Sequence, residues 1–208
     1  MAGAIDTTAA AVSWALLELA RQPDLQDQLA EELKEAYGNF SRAPLLNAFV
    51  QETFRLHCTI PFTSRVALED DLVPLAEPTL INGAMSHVLP IRAGEVIAIS
   101  YDLLNVSERI WGKEALEFRP ERWLDKTTSQ RPPRLATFSE GPMSCPGFRF
   151  AEQSVKVQLR ELLSRFELRD PPSNVGWSSN IVRRPCLAGK SGSFAELPLT
   201  IRRREVDH

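Results

Sequence analysis

Apolar residues recur every three or four positions over the first quarter of the chain, and this spacing predicts three successive α-helices. The first covers residues 2–21, which are rich in alanine and leucine. The second begins at Pro23, a residue suited to the first turn of a helix, and is ended by Gly38. The third runs from about Pro44 to His57.

After Pro61 the pattern changes to short runs typical of β-strands. The segment Ile81-Asn82-Gly83-Ala84 predicts a hairpin turn, because Asn-Gly favours the two-residue turn with positive φ. Val88–Ile91 and Val96–Ser100 are predicted strands joined through Ala93-Gly94. A short helix is expected after Asn105.

The second half of the chain combines a polar connection, one strong helix and short terminal strands. Lys126–Arg134 is polar and proline-containing, which predicts an exposed loop. Phe148–Leu168 has apolar side chains along one helical face, and Ile181–Arg183 and Leu197–Arg202 are predicted strands. The fold class predicted from these elements is mixed, mainly α with a small β-sheet.

Composition narrows the possible partners. The 208 residues are enough for one domain with a real core. A net charge of −3 gives no argument for a nucleic-acid partner. Cysteines occur only at positions 58, 145 and 186, too few for a disulfide framework or a zinc site, so reduced thiols and an intracellular location are expected. The longest apolar stretch, Ala9–Leu17, is too short to cross a bilayer.

One cysteine lies in a loop whose sequence suggests a chemical role. The loop reads Phe138-Ser139-Glu140-Gly141-Pro142-Met143-Ser144-Cys145-Pro146-Gly147, directly before the strong helix. A thiol at a helix start lies among free backbone N–H groups at the positive end of the helix dipole, and both favour the thiolate. Cys145 is therefore a candidate soft ligand or nucleophile. The alternative is that Cys145 is a small buried apolar residue.

This loop resembles the haem-ligand loop of the cytochromes P-450, the haem-thiolate monooxygenases, whose axial ligand is a cysteine thiolate. Three further segments resemble motifs of that family in the same order, and the resemblance covers nearly the whole chain. They are Ala2-Gly3-Ala4-Ile5-Asp6-Thr7-Thr8, Glu52-Thr53-Phe54-Arg55 and Phe118-Arg119-Pro120-Glu121-Arg122-Trp123. A second Glu-x-x-Arg, at Glu18 and Arg21, is expected on a solvated helix face.

The resemblance implies a thiolate-ligated haem b, iron protoporphyrin IX, with Cys145 as the ligand of the iron. Phe138 is then expected beside the sulfur, and Gly141 and Gly147 against the haem. Plain turn or packing roles are the alternative for both glycines. Arg65, four residues after Pro61, is implied as a clamp on a haem propionate. The alternative for Arg65 is an exposed arginine on a strand.

The first helix is implied to contain the oxygen-activating residues. Thr7 takes the role of the threonine in the family motif, and Asp6 beside it can relay protons. Gly3 and Ala4 are small, as close approach of oxygen to the helix requires. The alternative is that Asp6 and Thr7 cap the start of the helix.

Glu52, Arg55 and Arg122 are implied to form a buried structural network that braces the cysteine loop. The alternative is an ordinary Glu/Arg pair on the surface, which contributes little to stability.

The resemblance also defines what the chain is expected to lack. The family's oxygen-binding helix lies past the middle of the polypeptide, so residues 1–208 are expected to be the C-terminal haem-binding portion, without the N-terminal part or the endoplasmic-reticulum anchor. Met143 stands where the family usually has a basic residue that binds a propionate, which predicts weakened haem retention. Arg134 and Arg149 are the candidates to compensate.

The implied function is insertion of one atom of O2 into a small organic substrate, most similar to fungal microsomal members of the family. Electrons would come from a separate flavoprotein reductase, because the chain has no nucleotide-binding glycine motif. One alternative is a non-catalytic remnant with weak or no haem binding. Another is a cysteine hydrolase that uses Cys145 with His57 or His87.

Overall fold

The computed structural model of the chain describes residues 2–124, 135–178, 181–189 and 196–204. The chain divides into two units, a larger one of Met1–Pro61 with Tyr101–His208 and a smaller one of Phe62–Ser100. The predicted loop Lys126–Arg134 lies outside the described residues.

All helices with an assigned range lie in the larger unit. They are α1 (Ala2–Arg21), α2 (Pro23–Ala36), α3 (Pro44–Leu56), α4 (Tyr101–Asn105), α5 (Glu108–Trp111) and α6 (Phe148–Leu163). Single 3-10 turns cover Phe40–Arg42, Pro120–Trp123, Ala136–Phe138 and Gly141–Met143. The three predicted N-terminal helices are confirmed, and a mixed fold that is mainly α agrees with the prediction.

The core of the larger unit lies between α1, α2, α3 and α6. Their apolar faces meet through side chains with no solvent exposure, including Leu19, Leu29, Phe49 and Leu159. Burying a side chain of this size stabilises the fold by roughly 1.5–3 kcal/mol. This packing holds α6 in place, and with it the loop that precedes α6.

The predicted helix Phe148–Leu168 is too long, because α6 ends at Leu163 and Phe166–Arg169 forms a strand, β5. The reason is a buried glutamine. Gln26 of α2 accepts from the Leu168 N–H at 2.8 Å and donates to the Leu168 carbonyl at 3.0 Å, so the backbone at this point is satisfied outside a helix.

Two antiparallel pairs complete the larger unit. Strand β5 pairs with β8 (Thr200–Arg203), and β6 (Val175–Trp177) pairs with β7 (Pro185–Leu187). The predicted strand Ile181–Arg183 is wrong. The Arg183 N–H donates to the Thr59 carbonyl, and the Arg183 carbonyl accepts from the Trp14 indole, so neither group is free for a sheet.

The smaller unit contains four strands in two antiparallel pairs. They are β1 (Phe62–Val66), β2 (Asp71–Ile81), β3 (Ala84–Ile91) and β4 (Val96–Ser100). Strand β1 pairs with β4, and β2 pairs with β3 through the predicted hairpin. Asn82 and Gly83 have φ values of 50° and 83°, as the Asn-Gly turn requires. The predicted small β content takes the form of separate two-stranded ladders within the described residues.

Candidate functional site

The cysteine loop is closed by a backbone hydrogen bond. The Cys145 N–H donates to the Phe138 carbonyl at 2.8 Å. Between these residues the chain turns at Gly141, whose φ of 68° lies in the left-handed region that glycine adopts without strain. The loop then enters α6 through Gly147, which occupies the N-cap position. The sequence motif is therefore a defined loop at the start of a 16-residue helix.

Cys145 differs from the other two cysteines in its exposure. Cys58 and Cys186 are buried, whereas Cys145 is exposed. Burial raises the pKa of the Cys58 thiol to about 11, because the apolar surroundings disfavour its charged form. The alternative of a small buried residue at position 145 is therefore wrong. Cys145 is the thiol that a ligand or metal can reach.

A pocket of about 530 Å³ adjoins the Cys145 loop. Its lining combines loop residues with side chains from α3 and α6 and with Trp123. The lining residues are Gln51, Trp123, Leu135, Phe138, Ser139, Glu140, Gly141, Ser144, Cys145, Phe148 and Glu152. The Phe138 ring packs edge-on against Phe54 at 5.0 Å between ring centroids and lies 6.2 Å from Phe148. The thiol thus borders aromatic surface.

These residues fit a thiolate-ligated haem. The single exposed thiol supplies the soft donor that haem iron accepts from cysteine. The aromatic rings beside it suit a flat apolar group. A Cβ at Gly147 would lie 3.9 Å from the Cys145 sulfur, so the glycine leaves this approach to the sulfur open.

The Glu52 carboxylate is the centre of a buried network. Its two oxygens accept from Arg55 Nε at 2.8 Å and Nη2 at 2.9 Å. They also accept from the Arg119 N–H at 2.8 Å, Arg122 Nε at 2.9 Å and the Trp123 indole at 2.9 Å. Glu52 and Arg55 have no solvent exposure, so the alternative of a surface pair is wrong.

Arg55 extends this network to the backbone around α4 and α5. Its guanidinium donates to the carbonyls of Asn105 at 2.8 Å, Ala115 at 2.6 Å and Glu117 at 3.0 Å. It also lies 5.1 Å from the centroid of the Trp111 ring, a cation–π contact. The buried positive charge is thereby fully surrounded by acceptors, the condition under which a buried ion pair is tolerated.

The network keeps Glu52 ionised. Burial by itself would raise the pKa of Glu52, but hydrogen bonds from Arg55, the Arg119 N–H and Trp123 outweigh it and hold that pKa below its ordinary value. Glu52 is therefore a carboxylate at neutral pH, and its partners lie on segments far apart in sequence.

The residues proposed for oxygen activation lie near the start of α1. The helix already begins at Ala2, so Asp6 and Thr7 lie beyond its first turn and the capping alternative is wrong. The Thr7 hydroxyl donates to the Gly3 carbonyl at 2.6 Å. The Asp6 carboxylate forms an ion pair with Arg184. Gly3 and Ala4 are exposed on the same stretch.

The sequence predicted that the second Glu-x-x-Arg, Glu18 and Arg21, lies on a solvated helix face. For Glu18 this prediction is wrong. Glu18 is only 4% exposed, and His57 Nε2 lies 2.9 Å from its carboxylate. The His57 ring stacks on Trp14 at 4.2 Å. Burial raises the pKa of Glu18, but the hydrogen bonds and charges of His57 and Arg21 outweigh it and lower that pKa overall. His57 is thus engaged by Glu18 rather than by Cys145, which weakens the hydrolase alternative.

The remaining predicted residues lie in the smaller unit, within the cysteine loop or at the start of α6. Arg65 and His87 belong to the smaller unit. Arg65 is partly buried on β1 and donates to the Thr63 hydroxyl and the Ser64 carbonyl. Met143 is 66% exposed, and the Arg149 guanidinium lies 5.5 Å from the Phe148 ring.

Of the two arginines proposed to compensate for Met143, Arg134 lies outside the described residues.

Within the described ranges, no helix has both the length and the apolar character needed to cross a bilayer. Sequence reasoning missed Asn105 and Thr137, which connect the Glu52 network to the cysteine loop. Both are ordinary polar residues that no motif marks.

Comparison with known proteins gives one consistent family. The cytochrome P-450 family model matches residues 1–184. Cytochrome P-450 monooxygenase 205 of Postia placenta is 33% identical over 95% of this chain and 39% of its own length. Cytochrome P-450 monooxygenase claP of Ampulloclitocybe clavipes is 35% identical over 96% of this chain and 41% of its own. Both relatives are fungal.

A solved crystal structure of a cytochrome P-450 shares the fold, with a TM-score of 0.73 at 23% identity. The match covers 95% of this chain and 42% of that chain. The chain therefore spans about two fifths of the length of the curated relatives it matches.

Proposed function

Because the chain belongs to the cytochrome P-450 family, we propose that it is the C-terminal haem-binding portion of a haem-thiolate monooxygenase. The observation that carries this proposal is the exposed thiol of Cys145 in a closed loop at the start of α6. The family implies a haem cofactor, and its named relatives are monooxygenases.

In this proposal the thiolate of Cys145 would hold haem b, Phe138 would shield the sulfur, and Gly141 and Gly147 would leave room for the group. When bound, the haem supplies the iron at which O2 is activated, and the thiolate donates electron density that favours O–O cleavage. Arg65 is proposed as a donor to a haem propionate. In the structure Arg65 donates to the Thr63 hydroxyl and to the Ser64 carbonyl, both within two residues along the chain.

The proton-handling residues are proposed to be Asp6 and Thr7. The Thr7 hydroxyl donates to the Gly3 carbonyl, so the lone pairs of its oxygen can still accept a hydrogen bond from another group. The Asp6 side chain is 55% exposed, so water can reach the carboxylate. Gly3 and Ala4 present little bulk beside them.

The proposed partners follow the family. A separate flavoprotein reductase would supply electrons, and O2 and a small organic substrate would be the reactants. All three cysteines are free thiols, as expected in a reducing compartment, and an intracellular location is part of the proposal.

The test is the absorption spectrum of the reduced chain with carbon monoxide after reconstitution with haem. We expect a red-shifted band that reports thiolate ligation, lost in Cys145→Ala and kept in the control Cys186→Ala. Unchanged pigment content and spectrum in Cys145→Ala would refute the ligand assignment. A wild-type chain that retains no haem would favour the non-catalytic remnant, the alternative suggested by Met143 in place of the family's usual basic residue.

A further inference from the structure

A buried asparagine connects the Glu52 network to the cysteine loop. Asn105 is the last residue of α4 and is 1% exposed. Its backbone carbonyl accepts from Arg55 Nη1 at 2.8 Å. Asn105 thus binds the buried guanidinium through its backbone, and its side chain remains available for other contacts.

The Asn105 side chain holds the 3-10 turn that begins the cysteine loop. Its Oδ1 accepts from the Ala136 N–H at 2.9 Å, and its Nδ2 donates to the Thr137 hydroxyl at 2.7 Å. One amide thus contacts two successive residues of the turn Ala136–Phe138. Such a pair of bonds fixes both the position and the direction of the turn.

Thr137 anchors the same turn to α3. Its hydroxyl donates to the Phe54 carbonyl at 2.6 Å while accepting from Asn105. The next residue, Phe138, provides the carbonyl that accepts from the Cys145 N–H. The turn is therefore held by α3 and α4, and in turn holds the backbone at the cysteine.

We propose that Asn105 and Thr137 are positioning residues that set the place of the Cys145 sulfur relative to the Glu52–Arg55 network. As a statement about haem ligation, this rests on the proposed function. As a statement about the loop, it rests only on the hydrogen bonds above. Loss of either side chain leaves buried polar partners unsatisfied and frees the turn.

The test uses the 208-residue chain and three variants. Asn105→Ala removes both side-chain bonds, Thr137→Val removes the hydroxyl at nearly constant shape, and Thr137→Ser restores the hydroxyl. Asn47→Ala is the matched control, because Asn47 is a partly buried asparagine that donates to the Phe40 carbonyl, away from the loop.

The first readout is hydrogen exchange of the Cys145 amide in the haem-free chain. We expect exchange to be at least about tenfold faster in Asn105→Ala and Thr137→Val, since each variant loses two side-chain hydrogen bonds that hold the turn. Exchange in Thr137→Ser and Asn47→Ala should stay close to wild type.

The second readout is the carbon monoxide spectrum. Asn105→Ala and Thr137→Val should lose part of the red-shifted band, and Thr137→Ser should regain it.

The outcomes separate the two proposals. Unchanged Cys145 exchange in folded Asn105→Ala and Thr137→Val would overturn the positioning role. Global unfolding of both variants by circular dichroism would also overturn it, because the residues would then support the whole fold. A wild type without a red-shifted band would count against haem ligation alone, since the exchange readout does not require haem.

Discussion

Removing the charge of Glu52 is the sharpest test of the buried network. In Glu52→Gln the side chain keeps its shape, but its amide nitrogen now faces N–H donors. The variant disturbs two hydrogen bonds from Arg55 and one each from Arg119, Arg122 and Trp123. It also leaves the Arg55 guanidinium buried without its counter-charge.

The expected loss is large because neither Glu52 nor Arg55 can reach water. Breaking a buried ion pair by removing one partner costs about 3–5 kcal/mol. A domain has a total stability of roughly 5–15 kcal/mol, so the variant should be severely destabilised.

The assay is urea unfolding followed by far-ultraviolet circular dichroism at neutral pH, with Glu31→Gln as the matched control. Glu31 pairs with Lys34 at the same sequence spacing and at 2.8 Å, but the two side chains are 62% and 70% exposed. The control should lose less than about 0.5 kcal/mol. Equal losses for the two variants would refute the claim that burial decides the contribution of the Glu52 pair.

Three further predictions concern other parts of the chain. The pKa of Glu18 is lowered from 4.5 in the folded chain. The ionised Glu18 therefore contributes stability above that pH, and this contribution disappears as the pH falls through the lower folded pKa. Glu18→Gln should destabilise the chain more at about pH 6 than at about pH 3 in urea titrations. Met143→Arg should raise the haem content of the purified chain, measured against protein by absorbance, and unchanged occupancy would contradict the role given to position 143. Leu159→Ala should lower the free energy of unfolding by about 2–5 kcal/mol, whereas Leu103→Ala, at a side chain 68% exposed, should stay within about 0.5 kcal/mol.

Several corrections share one cause, a partner distant in sequence. Helical periodicity continues past Leu163, yet the helix stops there because Gln26 engages the backbone of Leu168. Glu18 and Arg21 have the spacing of a surface pair, yet Glu18 is buried against His57. Periodicity describes neighbours along the chain and contains no information on which distant side chain will satisfy a buried group.

Local pattern by itself determined α1, α2 and α3, the hairpin at Asn82-Gly83 and the position of the cysteine loop, because backbone propensity and turn chemistry act between adjacent residues. It also indicated the family, since the motif residues occur at characteristic spacings. Only the tertiary structure decided that Cys145 is exposed, that Glu52 gathers donors from separate segments, and that Asn105 holds the loop. Hydrogen-bond satisfaction of buried groups depends on positions in space, and folding brings those positions together.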